Sequence, residues 1–184
     1  IYEVLYVHYA AIAKAVDGFP VVLYNVPCRT ASNISAKTCL RLAHDFENIV
    51  ANKEASGNLS QVMEILNGRP DGFAVFSGDD AITLPLIALG ADGVTSVISN
   101  EFPSEFNELV EACLAGEWET ARRIHYRLLP LMEANFIESS PAPCKFVMKE
   151  MGLLRENLRL PLVPITEPTR EALTKILNDL RNPA

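Results

Sequence analysis

Paired cysteines, spaced histidines, basic stretches and long apolar runs are all missing from this sequence, and each gap closes off a class of function. The four cysteines, Cys28, Cys39, Cys113 and Cys144, form no Cys-x-x-Cys pair. A zinc ribbon or a thioredoxin-like site therefore has no ligands to draw on. His8, His44 and His125 lie far apart, each in a helical pattern and with no His-x-x-x-His spacing. They read as helix-surface or packed residues, and no metal is expected. The formal charge is -7 with no basic stripe to offset it, so a nucleic-acid backbone is an unsuitable partner. No apolar stretch approaches the about 20 residues of a membrane span. Scattered thiols fit a reducing compartment, so a cytoplasmic protein without membrane partners is expected. Neither a signal peptide nor an initiator Met opens the chain, which reads as a piece whose upstream part is absent.

What is present is ample material for a core: 184 residues, 49% hydrophobic and 21% charged. Leu5, Tyr9, Ile12 and Val16 predict a helix over 2–16, stopped by Asp17-Gly18. Residues 20–25 form a continuous apolar strand, and such continuity predicts a strand covered on both faces. A loop over 26–30 follows, then a helix from Ser35 to about Phe46 with Cys39, Leu40, Leu42 and Ala43 as its apolar members. The second strand spans 48–53 and the next helix about 58–67, with Leu59, Val62, Met63 and Leu66 on one side. A third strand spans 72–77, a helix about 81–89, and a fourth strand 92–98. Short strands alternating with helices at this spacing are the grammar of a parallel sheet, and the tight repeat suits a (β/α)₈ barrel. After Asn100 the strands stop. Helices are expected over 103–115, over 117–136 with Pro130 as a kink, from Ser140 as N-cap with Pro141 in the first position, and from Pro168 onward, after an extended stretch over 158–164. The expected division is 1–102, half of a barrel, and 103–184, a helical appendage. Four strands are too few to close a barrel that needs eight.

The stretch Ile49-Val50-Ala51-Asn52-Lys53-Glu54-Ala55-Ser56-Gly57 organises the rest. Burial disfavours an ammonium and lowers its pKa, and a lysine so tuned attacks carbonyls to give a Schiff base. In a barrel, catalytic side chains sit at the carboxyl ends of strands. Those ends here carry Tyr24 and Arg29, then Lys53, then Ser77-Gly78-Asp79-Asp80, then Thr95 to Asn100. A phenol moves protons, a guanidinium fork grips a carboxylate, and a lysine forms the imine. Together they describe chemistry on 2-oxo acids. Each also has an ordinary reading: a surface lysine, a strand-end aromatic, a loop charge. Asp79 and Asp80 admit a divalent metal but suit helix capping better. Gly78 allows backbone to approach a ligand. Glu138 reads as a structural acid near a helix start, and Cys28 as a modifiable thiol with no base beside it.

Tyr24-Asn25-Val26-Pro27-Cys28-Arg29-Thr30, Lys53-Glu54-Ala55-Ser56-Gly57-Asn58-Leu59, Ser77-Gly78-Asp79-Asp80, Leu89-Gly90-Ala91-Asp92-Gly93-Val94 and Arg159-Leu160-Pro161-Leu162 resemble the dihydrodipicolinate synthase family, over its carboxyl-terminal part from about Leu5 to Ile165. The resemblance implies a partial (β/α)₈ barrel carrying strands five to eight. It implies a lysine-dependent lyase that condenses pyruvate with aspartate semialdehyde for lysine and diaminopimelate synthesis, with no cofactor beyond the imine at Lys53. By the same resemblance Tyr24 relays protons, Arg29 orients the aldehyde's carboxylate, Gly78 and the backbone at Thr95 line the pyruvate pocket, and the protein is a homo-oligomer, usually a tetramer. Arg29 tilts the reading away from N-acetylneuraminate lyases and 2-keto-3-deoxygluconate aldolases, which share Tyr24 and Lys53. Two rival readings stand beside these: an inactive half barrel, and a metal-dependent aldolase using Asp79 and Asp80. The family's paired threonines and its second relay tyrosine are not in this chain, so the chain alone is expected to be inactive. Asn52 and Thr95 stand where the family mostly has aliphatic residues. An amide at Asn52 would cost about 1–3 kcal/mol if left unpaired.

Overall fold

The computed structural model describes residues 2–182. Two compact units divide between Thr95 and Ser96.

The first unit alternates helices and parallel strands: α1 (Tyr2–Ala15), β1 (Val21–Asn25), α2 (Pro27–Thr30), α3 (Ala36–Asp45), β2 (Ile49–Glu54), α4 (Leu59–Gly68), β3 (Ala74–Ser77), a 3₁₀ turn (Asp80–Ile82), α5 (Thr83–Ala88) and β4 (Gly93–Val94). The sheet order is β1-β2-β3-β4, so sequence neighbours are spatial neighbours throughout. Tyr24 pairs in register with Lys53 and Lys53 with Phe76; one step along, Asn25 pairs with Glu54 and Glu54 with Ser77. Because side chains alternate across a strand, the sheet has two distinct faces. Leu23, Ile49 and Val75 pack with Ile34, Cys39 and Leu42 and with Ile65 of α4 into one buried cluster. Side-chain caps start the covering helices: Ser35 accepts from the Thr38 N–H, and Asn58 from the Gln61 N–H.

Several expectations are corrected by this fold. Continuous apolarity in β1 does not mean two covered faces: Val22 is 50% exposed and Tyr24 41%, while Leu23 between them is fully buried. The fourth strand is not seven residues long. It ends at Val94 because β3 ends at Ser77; the Thr95 N–H makes its bond to the Ser77 carbonyl at 2.8 Å, and a 3₁₀ turn (Ile98–Asn100) follows. The expected loop after β1 contains α2, with Pro27 at its start and Ala31 left-handed at its end (φ 53°). The buried side of α4 is Gln61, Val62 and Ile65, while Leu59 and Met63 are exposed; polar bonds from Gln61, described below, turn the helix that way. On α1, Ala10 and Ala13 are buried whereas Ile12 is exposed, as is Val16 just past the helix end.

The second unit is helical: α6 (Pro103–Ala115), α7 (Trp118–Ala134), α8 (Ala142–Glu150) and α9 (Glu167–Arg181). Gly116 ends α6 in the left-handed region (φ 76°), a conformation glycine adopts without strain. Leu109, Leu128, Leu131, Val147 and Leu173 are fully buried. Ser140 does not cap α8. Pro141 occupies that position with no side-chain cap, and Pro143 is the proline inside the first turn. Glu138 instead serves the start of α9, accepting from the Thr166 N–H at 2.9 Å and hydroxyl at 2.7 Å. Hydrogen bonds from Thr169 and Thr166 hold its carboxyl below the ordinary range. No helix among the described residues is long and apolar enough to cross a membrane.

Candidate active site

Lys53 is the penultimate residue of β2, and the matched register sets it beside Tyr24 at the carboxyl end of β1. Its Nζ lies 4.1 Å from the centre of the Tyr24 ring, the geometry of a cation held over a π-face. Partial burial lowers the lysine's pKa, and the positive charge of Arg29 lowers it further; the Asp80 carboxylate works the other way. A neutral amine is the nucleophilic form, so this environment favours attack on a carbonyl.

Gly78 follows β3 and comes close to the same lysine. A Cβ there would stand 2.8 Å from the Ala55 Cβ and 3.2 Å from the Lys53 Cε, so only glycine fits between the two strand ends. Its N–H donates to the Glu54 carbonyl at 2.8 Å. Asp79 caps the 3₁₀ turn by accepting from the Ala81 N–H at 3.0 Å. Asp80 is buried, and its charge acts on Lys53. Arg29 is exposed on α2. Thr95 is exposed, its backbone fixed by the Ser77 carbonyl. Tyr24, Lys53 and Gly78 are thus brought into one cluster, Arg29 reaches it through its charge, and Thr95 sits at the neighbouring strand end. Cys28 is exposed beside Arg29. Among the described residues no three His, Cys, Asp or Glu side chains gather as a metal-ligand set.

One group of residues escapes the sequence reading. On the opposite face, directly beneath the Tyr24–Lys53 pair, Glu54 is 1% exposed and ringed by donors. Asn25 Nδ2 reaches its two oxygens at 2.9 and 3.2 Å, the Ser56 N–H donates at 2.9 Å, Asn52 Nδ2 at 3.2 Å and Gln61 Nε2 at 3.3 Å. Burial, with the Glu54 charge adding to it, pushes the Cys39 thiol up to about 12, leaving that cysteine inert. The signal in the sequence is a carboxylate directly after the lysine, in an apolar strand, with amides at 25, 33, 52 and 61.

A sequence profile of the dihydrodipicolinate synthetase family matches residues 2–180. The chain belongs to this family. Among its relatives, the 4-hydroxy-tetrahydrodipicolinate synthases of Pelodictyon phaeoclathratiforme and Koribacter versatilis are 49% and 53% identical to it. The matches cover 97% and 93% of this chain, and 60% and 56% of those relatives; the chain spans about three-fifths of their length. Among solved structures, the dihydrodipicolinate synthase of Aquifex aeolicus superposes with a TM-score of 0.93 at 40% identity, covering 98% of this chain and 61% of that one. A chloride-inhibited dihydrodipicolinate synthase from Acinetobacter baumannii, complexed with pyruvate, superposes with a TM-score of 0.93 at 39% identity, covering 98% and 62%.

Proposed function

We propose that Lys53 of this family member forms an imine with pyruvate, and that the four-stranded sheet is the carboxyl-terminal part of a (β/α)₈ barrel whose complete form condenses pyruvate with aspartate semialdehyde. The observation that carries the reading is the Lys53 amine 4.1 Å from the Tyr24 ring at register-matched strand ends. The neutral Nζ adds to the C2 carbonyl carbon of pyruvate; the carbonyl oxygen then leaves as water, taking both amine protons. We assign the proton shuttle between the amine and the departing oxygen to the hydroxyl of Tyr24, the ring whose face the amine lies over. The imine draws electrons from the adjacent methyl carbon, which loses a proton and attacks the aldehyde. Arg29, exposed on α2, would grip the aldehyde's carboxylate, a task that suits its planar fork. Gly78 and the backbone at Thr95 would bound the pyruvate site. The relatives' names support the substrate pair, and the complete protein is expected to be a homo-oligomer in the cytoplasm.

The test has two stages. Treating this polypeptide with pyruvate and borohydride should add a reduced pyruvyl group at Lys53, seen by peptide mass mapping. In the complete protein, aspartate semialdehyde should be consumed, and Arg29→Ala should lower kcat/KM for it by about 10–100-fold, about 1.4–2.7 kcal/mol, as for a charged hydrogen-bonded contact. Absence of the lysine adduct in the complete protein as well would refute the imine. Unchanged kinetics in Arg29→Ala, with sugar-acid aldehydes accepted instead, would refute the semialdehyde assignment.

A further inference from the structure

We propose that Glu54 is a positioning residue: its buried carboxylate locks the strand ends that present Tyr24 and Lys53, so that ring and amine keep their spacing. This rests on the reading of Lys53 as the reactive amine. Alternation puts Asn25 and Glu54 one step past Tyr24 and Lys53 on the covered face. A bond between Asn25 and Glu54 therefore fixes the relative height and twist of the pair above it. The lock extends both ways. Asn25 Oδ1 accepts from the Ile34 N–H at 2.9 Å, tying in the segment before α3. Asn33 Oδ1 accepts from Asn25 Nδ2 at 2.9 Å, and Asn33 Nδ2 donates to Gln61 Oε1 at 2.8 Å, tying in α4. The Ser56 N–H pins the turn that follows Lys53 onto the same carboxylate. The Glu54 side-chain bonds all come from N–H donors, so only an acceptor-only group satisfies them. A glutamine there would keep one acceptor for Asn25 and Ser56 but turn its NH₂ toward the Asn52 and Gln61 donors, so those bonds would be lost unless the amides turned over.

A purely structural role makes a different forecast, because loss of function would then follow loss of stability. The experiment compares wild type with Glu54→Gln, Glu54→Asp, Asn33→Ala and Ile65→Val, the last a core change in the same unit. Borohydride capture of pyruvate and acylation of Lys53 by acetic anhydride, relative to Lys37 on the exposed surface of α3, are measured alongside the melting temperature. Glu54→Gln should slow capture by at least tenfold and bring Lys53 acylation close to that of Lys37. Glu54→Asp, which keeps the acceptors, should lose less. Asn33→Ala, at an exposed rim position, should fold and lose about threefold. Ile65→Val should melt earlier with unchanged capture. Capture and acylation at wild-type levels in folded Glu54→Gln would overturn the proposal, as would losses that track melting temperature across all variants. If Glu54→Gln does not fold, wild-type values in Asn33→Ala overturn it. If the complete wild-type protein captures no pyruvate, the imine reading fails, while Lys53 acylation still decides whether Glu54 positions the amine.

Discussion

At a single register step the two faces of the sheet treat polar groups in opposite ways. On one face Tyr24 and Lys53 are left partly open, with the cation over the ring. On the other, Asn25 and Glu54 are sealed, and the carboxylate is saturated with donors. Adjacent residues in the same two strands thus divide the work. The covered face supplies rigidity by satisfying the buried acceptors of Glu54, and the open face keeps the Lys53 amine partly desolvated. An amine that is only partly solvated holds its proton weakly, and on our proposal the tightly bonded layer beneath it holds it that way.

That division can be broken from either side. The largest effect is expected at the open face: Lys53→Ala should abolish pyruvate capture completely while leaving the melting temperature nearly unchanged. Residual adduct in that variant would place the chemistry on another lysine. Next is stability. Leu23→Ala, in the covered cluster, should cost about 2–5 kcal/mol, whereas Val22→Ala, one residue away and 50% exposed, should stay within about 0.5 kcal/mol; urea unfolding measures both. Smaller again is Asn52→Leu. Asn52 gives one donor to Glu54, but among the described residues its Oδ1 has no partner, so replacing it should stabilise the chain by up to about 1 kcal/mol. Destabilisation by more than that would mean the Asn52–Glu54 bond outweighs the orphaned oxygen. Smallest are the charge effects on Lys53. Asp80→Asn should lower its titration midpoint and Arg29→Gln should raise it, since these groups push in opposite directions. Movement of both the same way would contradict the arrangement.

The dependence of stability on pH follows from the same shift. The folded-state pKa of Lys53 lies below the ordinary value of 10.5, so between the two values the unfolded chain holds more protons. This group's contribution to stability therefore rises with pH through that window and is absent below it.

Much of this is legible in the sequence. The βα alternation, the helix starts at Ser35 and Asn58, and the grouping of Tyr24, Lys53 and Gly78 all follow from local patterns that tertiary packing leaves in place. What is illegible depends on partners far along the chain. Val22 and Leu23 are chemically alike, yet one is open and one sealed. The face of α4 turns inward at Gln61 because a carboxylate seven residues earlier draws it there, which apolar periodicity cannot reveal. The length of the fourth strand is set by where β3 stops, and the start of α8 by a proline that takes the cap in place of the neighbouring serine.

The most direct test of the central claim is competitive acetylation of all the lysines across a pH series, read peptide by peptide. Lys53 should reach half-reaction below pH 10.5. If Lys53 instead reaches it at or above pH 10.5, burial does not tune the amine, and the open face of the sheet is an ordinary surface.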